Sequence, residues 1–295
     1  MPEESRDDRQ LRERGVIDIL GEAFSIYWRH FKRIVALMMV VYVPIGFLEL
    51  IAAVMDRDGV WPTLAVTAVD SVFSVFVYAA GIFAVGQHYL VNQVNVGECY
   101  TRALWRVLSL TVFAIALGVL LAVVMSAVLA LSDPSMTTET QQAAEPEMTT
   151  SAFIALAAIL LTTPILVIYS IYMVVIIPAL VVEGGHVRSA LQRGFDLARN
   201  SKWRIFGHLA VYSLVSIGLL IVLNTPMLIL GGATSSGEAP SLWVTAVGVV
   251  ANRASSILIA PVTIIATTLL YYDLRVRKEN YDISRLSMEM GIART

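Results

Sequence analysis

Apolar residues occur in six long runs along the chain, and short polar or charged stretches separate them. The runs cover residues 34–55, 64–90, 108–131, 151–182, 207–231 and 242–272. A helix needs roughly 20 mostly apolar residues to cross the hydrocarbon core of a bilayer. The pattern therefore predicts an all-α, polytopic integral membrane protein with six transmembrane helices.

A short amphipathic segment precedes each pair of apolar runs. Residues 16–31, 97–107 and 186–206 repeat apolar positions at spacings of three and four, which is typical of a helix with one apolar face. Each segment ends in an aromatic–basic pair: Trp28–Arg29, Trp105–Arg106 and Trp203–Arg204. This pattern predicts three hairpins of spanning helices, each preceded by an amphipathic cytoplasmic helix. The alternative is that any cytoplasmic segment entering a membrane has these features, without a true repeat.

We therefore treat residues 1–295 as a single helical membrane domain with five parts. They are a polar N-terminal tail (1–15), unit 1 (16–90), unit 2 (91–182), unit 3 (183–272) and a basic cytoplasmic tail (273–295). Unit 2 contains a predicted external loop at 132–150, which carries carboxylates and no Lys or Arg.

The distribution of Lys and Arg sets the predicted topology. All but two of the 21 basic residues fall in the segments 1–33, 91–107, 183–206 and 273–295, which this topology places on one side of the membrane. The exceptions are Arg57 and Arg253. Because cytoplasmic loops carry an excess of Lys and Arg, we expect a multi-pass protein of the cell (plasma) membrane with cytoplasmic N- and C-termini.

Composition narrows the class further. The chain is 57% hydrophobic and 15% charged, with a mean hydropathy of +0.72, whereas soluble domains carry about 25% charged residues. These values exclude an ordinary soluble domain and a disordered chain. A net charge of −2 gives no reason to expect nucleic acid as a partner. We expect membrane lipids as partners, and a membrane-protein partner or a homo-oligomer stays open.

Four polar residues lie inside the predicted spans: Glu49, Asp70, Asn224 and Arg253. Charges inside a membrane are costly and are usually paired, so each is a candidate site residue. Their positions along the spans give them compatible depths, and we predict that Arg253 pairs with Asp70 or Glu49. Such a pair can fix the register of the helices, or it can form a polar binding or translocation site; the first reading is favoured.

Basic residues at the cytoplasmic ends of the spans are candidate ligands for lipid phosphates. Trp is favoured at the headgroup level, and nearby Arg can reach phosphates. The predicted headgroup-binding residues are Arg29, Arg33, Arg106, Lys202 and Arg204. The four His residues and the carboxylates Glu98 and Glu183 lie at the same rim without HxxxH or ExxH spacing. We therefore expect no metal site and no cofactor.

Three stretches resemble a known family. They are IDILGEAFSIYWRHFKRIVALMMVVYVP at 17–44, PALVVEGGHVRSALQRGFDLARNSKWRIFG at 178–207 and TTLLYYDLRVRKENYDI at 267–283. The chain is similar over essentially its whole length to the membrane domain found beside some bacterial glycerophosphoryl diester phosphodiesterases. The motif residues are Tyr271, Tyr272, Asp273, Arg275 and Arg277. Gly194 departs from the pattern, because the family often has Ser there.

This resemblance implies a helical membrane domain without chemistry of its own. The phosphodiesterase activity belongs to a separate barrel domain, which we expect this chain to lack. Physically, Tyr271 and Tyr272 fit the membrane interface, and a charged helix is predicted to continue beyond them. We predict that Asp273 pairs with a basic residue of the third amphipathic segment as a structural latch, with headgroup binding as the alternative.

The sequence contains no P-loop, GxSxG, HExxH or GxGxxG motif, so we predict no catalytic residues and no enzyme activity. The first hypothesis is a non-catalytic integral membrane protein that serves as a lipid-interacting scaffold or accessory module. The second is a transporter or channel, which requires a polar cavity lined by Glu49, Asp70, Asn224 and Arg253. The third is an intramembrane lipid enzyme, for which His88, Glu98, Glu183 and His186 are the candidate acid–base groups.

Overall fold

The structure is a computed structural model that describes residues 14–55, 60–104, 150–183, 187–233 and 242–291. Within these ranges the chain forms helices and no strands. The helices are α1 (Val16–Arg29), α2 (Phe31–Met55), α3 (Val60–Val91), α4 (Thr150–Glu183), α5 (Val187–Arg199), α6 (Lys202–Ala233), α7 (Leu242–Glu279) and α8 (Ile283–Met290). Residues 96–104 are also helical.

Five of these helices are long and apolar enough to cross a membrane. The qualifying segments are Phe31–Met55, Ala68–Val91, Thr163–Glu183, Lys202–Thr225 and Leu242–Glu279. They confirm the all-α class and match five of the six predicted spans. The remaining predicted span (108–131), the loop at 132–149 and Arg106 lie outside the described residues. The predicted count of six and the arrangement in three hairpins therefore stay predictions.

Helix α7 is the centre of the bundle. It packs against α1, α2, α3, α4 and α6, and its 38 residues make it about 57 Å long. The buried core between α2, α3 and α7 is apolar, with Leu37, Phe83 and Ile264 among its members. Gly81 lets α3 approach closely, because a Cβ atom there would lie 2.7 Å from the Ile264 side chain.

The amphipathic helices α1 and α5 pack directly onto the spanning helices. A single residue, His30, interrupts the helical path between α1 and α2. Helix α5 folds back along α4, where a Cβ atom at Gly194 would lie 2.3 Å from a side-chain carbon of Ile176. The glycine that departs from the family pattern therefore allows the close contact between these helices.

The predicted basic tail contains a packed helix. After α7, Asn280 adopts a left-handed backbone conformation with φ of 49°, and the chain turns into α8. The Asp282 side chain caps the start of α8 by accepting a hydrogen bond from the backbone N–H of Arg285. Gly291 ends the helix with a φ of 62°. Arg102 then donates to the carbonyl of Met290 at 2.7 Å, which fixes the end of α8.

Candidate functional site

Arg253 forms an ion-pair cluster with both of the carboxylates predicted for it. Its Nε donates to Glu49 Oε2 at 2.9 Å, and its Nη2 donates to the other oxygen of Glu49. Its Nη1 donates to Asp70 Oδ1 at 3.1 Å. The Arg253 side chain is 10% exposed, against 25% for Glu49 and 32% for Asp70. We call these three residues the outer triad; it holds one cation and two carboxylates.

Asn224, the fourth predicted member, has its described hydrogen bonds with residues outside the outer triad. Its Nδ2 donates to Ser255 Oγ at 3.3 Å and to the carbonyl oxygen of Leu220 at 3.0 Å. A cavity lies between α1, α2, α3 and α7, and its lining is apolar, including Met38 and Ile265. The polar cavity required by the transporter hypothesis stays a prediction.

A second group of ion pairs surrounds Asp273 at the other end of α7. The Asp273 carboxylate is buried and accepts from the backbone N–H of Arg14 at 2.7 Å. It also pairs with Arg204 at 2.9 Å and with Arg277 at 3.2 Å. Arg204 belongs to the third amphipathic segment, so the predicted pairing of Asp273 with that segment is confirmed.

Arg14 extends this group to helices α1 and α3. Its side chain pairs with Glu22 at 2.5 Å and contacts the hydroxyl of Tyr89 at 3.2 Å. The Tyr89 hydroxyl in turn donates to Glu22. The start of α1 is thereby joined to the ends of α3, α6 and α7.

Arg275 is buried in a box of acidic and aromatic side chains. Charged stretches such as the one around it are usually exposed to solvent. The Arg275 side chain is 2% exposed and bonds to both oxygens of Glu289, at 2.6 and 2.9 Å. Its guanidinium carbon lies 3.6 Å from the ring centre of Tyr281, a cation–π contact. Burial alone would raise the pKa of Glu289, but the hydrogen bonds from Arg275 and Tyr281 outweigh it and lower that pKa.

Arg193 and Glu183 connect this box to α4 and α5. Arg193 Nε donates to Glu183 at 2.8 Å, and its Nη2 donates to Glu279 at 2.7 Å. The Tyr271 hydroxyl donates to the same Glu183 carboxylate at 2.8 Å. Glu183 lies at the end of α4, and the hydrogen bonds that it accepts from Arg193 and Tyr271 hold its carboxylate close to α5 and α7. We call the pairs around Asp273 and Arg275 together the inner layer.

Residues 271–275 of α7 thus contribute to the interior of the inner layer. Helix α7 continues to Glu279, as predicted, but Tyr271, Tyr272, Asp273 and Arg275 are buried by protein. The placement of the two tyrosines at the membrane interface stays a prediction, and their rings contact other helices of the protein. Helix α8 packs against α3 and α4, its Glu289 side chain bonds to Arg275, and α1 packs beside α7.

The outer triad and the inner layer are separated by about one hydrocarbon thickness. Arg253 and Asp273 are 20 positions apart on one continuous helix, which corresponds to about 30 Å. The hydrocarbon core of a typical bilayer is also about 30 Å thick. The two charged groups therefore fit opposite edges of the apolar region.

The predicted headgroup residues divide into exposed and internal ones. Arg29, Arg33 and Lys202 are exposed, and no carboxylate within the described ranges pairs with them. Arg204 differs, since its guanidinium pairs with the buried Asp273. Arg106 belongs to the part that the structure does not describe.

Two tryptophans stand beside these exposed cations at the helix junctions. Trp28 is 67% exposed and Trp203 is 85% exposed. Each contacts a phenylalanine three residues later: the ring centres of Trp28 and Phe31 are 5.3 Å apart, and those of Trp203 and Phe206 are 6.2 Å apart. The junctions α1–α2 and α5–α6 share this Trp–Phe spacing, although the first pair is stacked at 22° and the second is edge-on at 90°.

The residues considered for acid–base chemistry have separate partners. The His88 ring lies within hydrogen-bond distance of His30, with 3.0 Å between Nδ1 and Nε2. Glu98 accepts from Gln87 and pairs with Arg102, whereas Glu183 belongs to the inner layer. His186 is outside the described ranges. No group of three His, Cys, Asp or Glu residues in the described part of the chain could hold a metal ion.

Cys99 is a buried thiol of low reactivity. Burial, together with the charge of Glu98, raises its pKa to about 12, so little thiolate forms near neutral pH.

No family model, curated protein or solved structure matches this chain.

Proposed function

We propose that this chain is a non-catalytic integral membrane protein that acts as a lipid-interacting scaffold or accessory module. The observation that carries this proposal is the pairing of exposed tryptophans with exposed cations at the α1–α2 and α5–α6 junctions. Trp28 and Trp203 would be costly to leave in water, but they suit the headgroup region of a bilayer. The neighbouring Arg29, Arg33 and Lys202 are placed to bind lipid phosphates.

The inner layer supports a structural role for most of the other charges. Arg14, Arg193, Arg204 and Arg275 are each held by carboxylates on other helices or turns. Arginines that are paired in this way stabilise a rigid body and are not available to bind a substrate. A rigid body with a charged cytoplasmic surface is what a scaffold needs.

Two further parts of the proposal rest on the sequence. The excess of Lys and Arg on one side supports a plasma-membrane protein with both termini in the cytoplasm. The motif at 267–283 supports membership of the membrane domain family of glycerophosphoryl diester phosphodiesterases. The distance of about 30 Å between Arg253 and Asp273 supports only the crossing of the membrane by α7, because it is close to the thickness of the hydrocarbon core.

Labelling of engineered cysteines tests the proposed topology. The native Cys99 is buried and largely protonated, so it gives little background with a maleimide. We expect a membrane-impermeant maleimide added to intact cells to label Thr138→Cys, and Ser284→Cys to react after the cells are opened. Labelling of both variants in intact cells would contradict the proposal.

Lipid retention tests the scaffold function itself. Native mass spectrometry of the extracted protein is expected to find phosphatidylglycerol retained over phosphatidylcholine. The variant Arg29→Gln should lose part of this preference, whereas Arg285→Gln should keep it. Arg285 is the matched control because it is an exposed arginine on α8 and belongs to neither of the two tryptophan-bearing junctions. Equal retention of both lipids by the unaltered protein would refute the function.

A transporter or channel is the second candidate, because the outer triad carries one more carboxylate than guanidinium. With all three groups ionised, the net charge of −1 favours the binding of a cation that enters from the outer side. In proteoliposomes, Asp70→Asn should then abolish a cation flux that the unaltered protein supports. The lipid-enzyme hypothesis has no comparable contact in its favour among the described residues.

A further inference from the structure

Lys202 stands over an aromatic surface that α4 and α5 provide. Its Nζ lies 5.7 Å from the ring centre of Tyr172, and the Tyr172 ring lies 4.6 Å from that of Phe195. Lys202 is exposed and, within the described ranges, pairs with no carboxylate. Arg199, at the end of α5, is also exposed, and no carboxylate in that part of the chain pairs with it. Two cations therefore lie at the α5–α6 junction, and neither pairs with a carboxylate of the described residues.

Apolar surface continues from this junction along both neighbouring helices. On α4, Ile168 and Ile165 lie four and seven residues before Tyr172, so they share its face, and both are exposed. On α6, Phe206 and Ile217 lie on the side of Lys202 and are exposed too. The cations thus stand at one end of two apolar strips that run into the membrane-spanning part of the protein.

We propose that one anionic phospholipid binds at this junction, with its phosphate on Lys202 and Arg199. Its glycerol region lies beside Trp203, and its acyl chains follow the exposed faces of α4 and α6. The proposal rests on the lipid-interacting function above and gives it a defined site. Two cations without a counter-ion favour a headgroup with net negative charge, because the choline of a zwitterionic lipid would be repelled.

A phospholipid explains the combination of features better than a free phosphate does. A soluble phosphate would need the cations alone, and the exposed apolar residues below them would have no role. A phospholipid satisfies the cations and the apolar strips together. It also accounts for the 85% exposure of Trp203, since an indole ring is stable at the level of the glycerol backbone.

Brominated lipids provide a local test, because they quench a tryptophan only at short range. The chain has five tryptophans, and the test protein keeps Trp203 while the other four become Phe. It is reconstituted in phosphatidylcholine with a small fraction of dibromo-phosphatidylglycerol or dibromo-phosphatidylcholine. Since one basic residue near a surface enriches anionic lipid about fivefold, we expect the brominated phosphatidylglycerol to quench severalfold more per molecule.

Variants identify the residues responsible. Lys202→Gln combined with Arg199→Gln should reduce the quenching ratio of the two lipids to one, and Tyr172→Leu should reduce it in part. A second protein that keeps only Trp243 is the internal control. Trp243 is exposed at the opposite end of the bundle, at the start of α7, and should show a ratio of one in every background.

Several results would overturn the site. One is an equal quenching of Trp203 by both lipids; another is a preference that survives loss of both cations. A preference abolished by inorganic phosphate, but not by chloride at the same ionic strength, would identify a free phosphate as the ligand. If the single-tryptophan proteins do not fold, native mass spectrometry of Lys202→Gln in the unaltered background decides. Unchanged phosphatidylglycerol retention would then refute the proposal.

The outcome also separates this site from the general function. If Trp203 shows no preference while Arg29→Gln still lowers phosphatidylglycerol retention, the scaffold function stands and this site is wrong. If neither measurement shows a preference for the anionic lipid, both proposals fail.

Discussion

Substitution of Arg253 by leucine removes a guanidinium that two carboxylates share. Glu49 receives two of its three hydrogen bonds and Asp70 receives one. After the substitution both carboxylates stay in a largely apolar environment without a cation. Removal of one partner from a buried ion pair typically costs 3–5 kcal/mol. Because Glu49 and Asp70 keep some exposure, we expect a loss near the lower limit, about 3 kcal/mol.

The hydrogen-bond pattern predicts which second substitution compensates. Arg253→Leu with Glu49→Leu removes the carboxylate that loses most, and it leaves Asp70, the more exposed of the two, to water. We expect this double variant to recover more than half of the lost stability. Arg253→Leu with Asp70→Leu leaves Glu49 alone and should recover less. From the most to the least stable, the predicted order is therefore the unaltered protein, the Glu49 double variant, the Asp70 double variant and the single variant.

Unfolding in mixed detergent and sodium dodecyl sulfate measures this order, with tryptophan fluorescence as the signal. A loss of 3 kcal/mol corresponds to an unfolding constant more than a hundredfold larger. The reasoning is refuted if the single variant is as stable as either double variant, because unpaired carboxylates would then carry no cost.

Three further predictions concern the other end of the bundle. Gly194→Ala adds a methyl group against Ile176 and should cost about 1–3 kcal/mol in the same assay, whereas Gly218→Ala, which meets open space, should be neutral or stabilising. Asp273→Asn should cost about 3 kcal/mol, since the arginines around it lose their anion; an unchanged unfolding midpoint would contradict this. Burial, and then the adjacent arginines, lower the pKa of His30, so the unfolded chain binds its proton more readily. Stability should therefore be full above pH 6.5 and fall as the pH drops below it, and His30→Gln should reduce this dependence in a pH series of thermal unfolding.

The sequence predicts the features that depend on composition and helical period. Five of the predicted apolar runs correspond to helices that qualify as spans. The contact of Arg253 with Glu49 and Asp70 follows from depth alone, because a charge in an apolar span has few possible partners. The pairing of Asp273 with Arg204 follows from similar reasoning at the predicted cytoplasmic ends of the spans.

The box around Arg275 could not be predicted in the same way. Its partner Glu289 lies on α8, and nothing in the spacing of charges shows that α8 packs against α3 and α4 with Glu289 next to Arg275. A local signal for α8 was present: Asp282 and Gly291 are the typical first and last caps of a short helix. Charged residues near a helix end are usually solvated, so a charge count alone would have left Arg275 exposed.

The separation of about 30 Å between Arg253 and Asp273 sets the hydrocarbon thickness that the protein matches best. In a thicker membrane one of the two clusters would be pulled into hydrocarbon, and in a thinner one apolar side chains would meet water; each ångström of mismatch costs a fraction of a kcal/mol. Helix α7 is continuous between the clusters, so it can adapt by tilting more readily than by changing its length. Lipids whose chains match the separation of the two clusters should therefore be enriched around the protein. In a membrane of uneven thickness, the protein should be found in the regions that these lipids form.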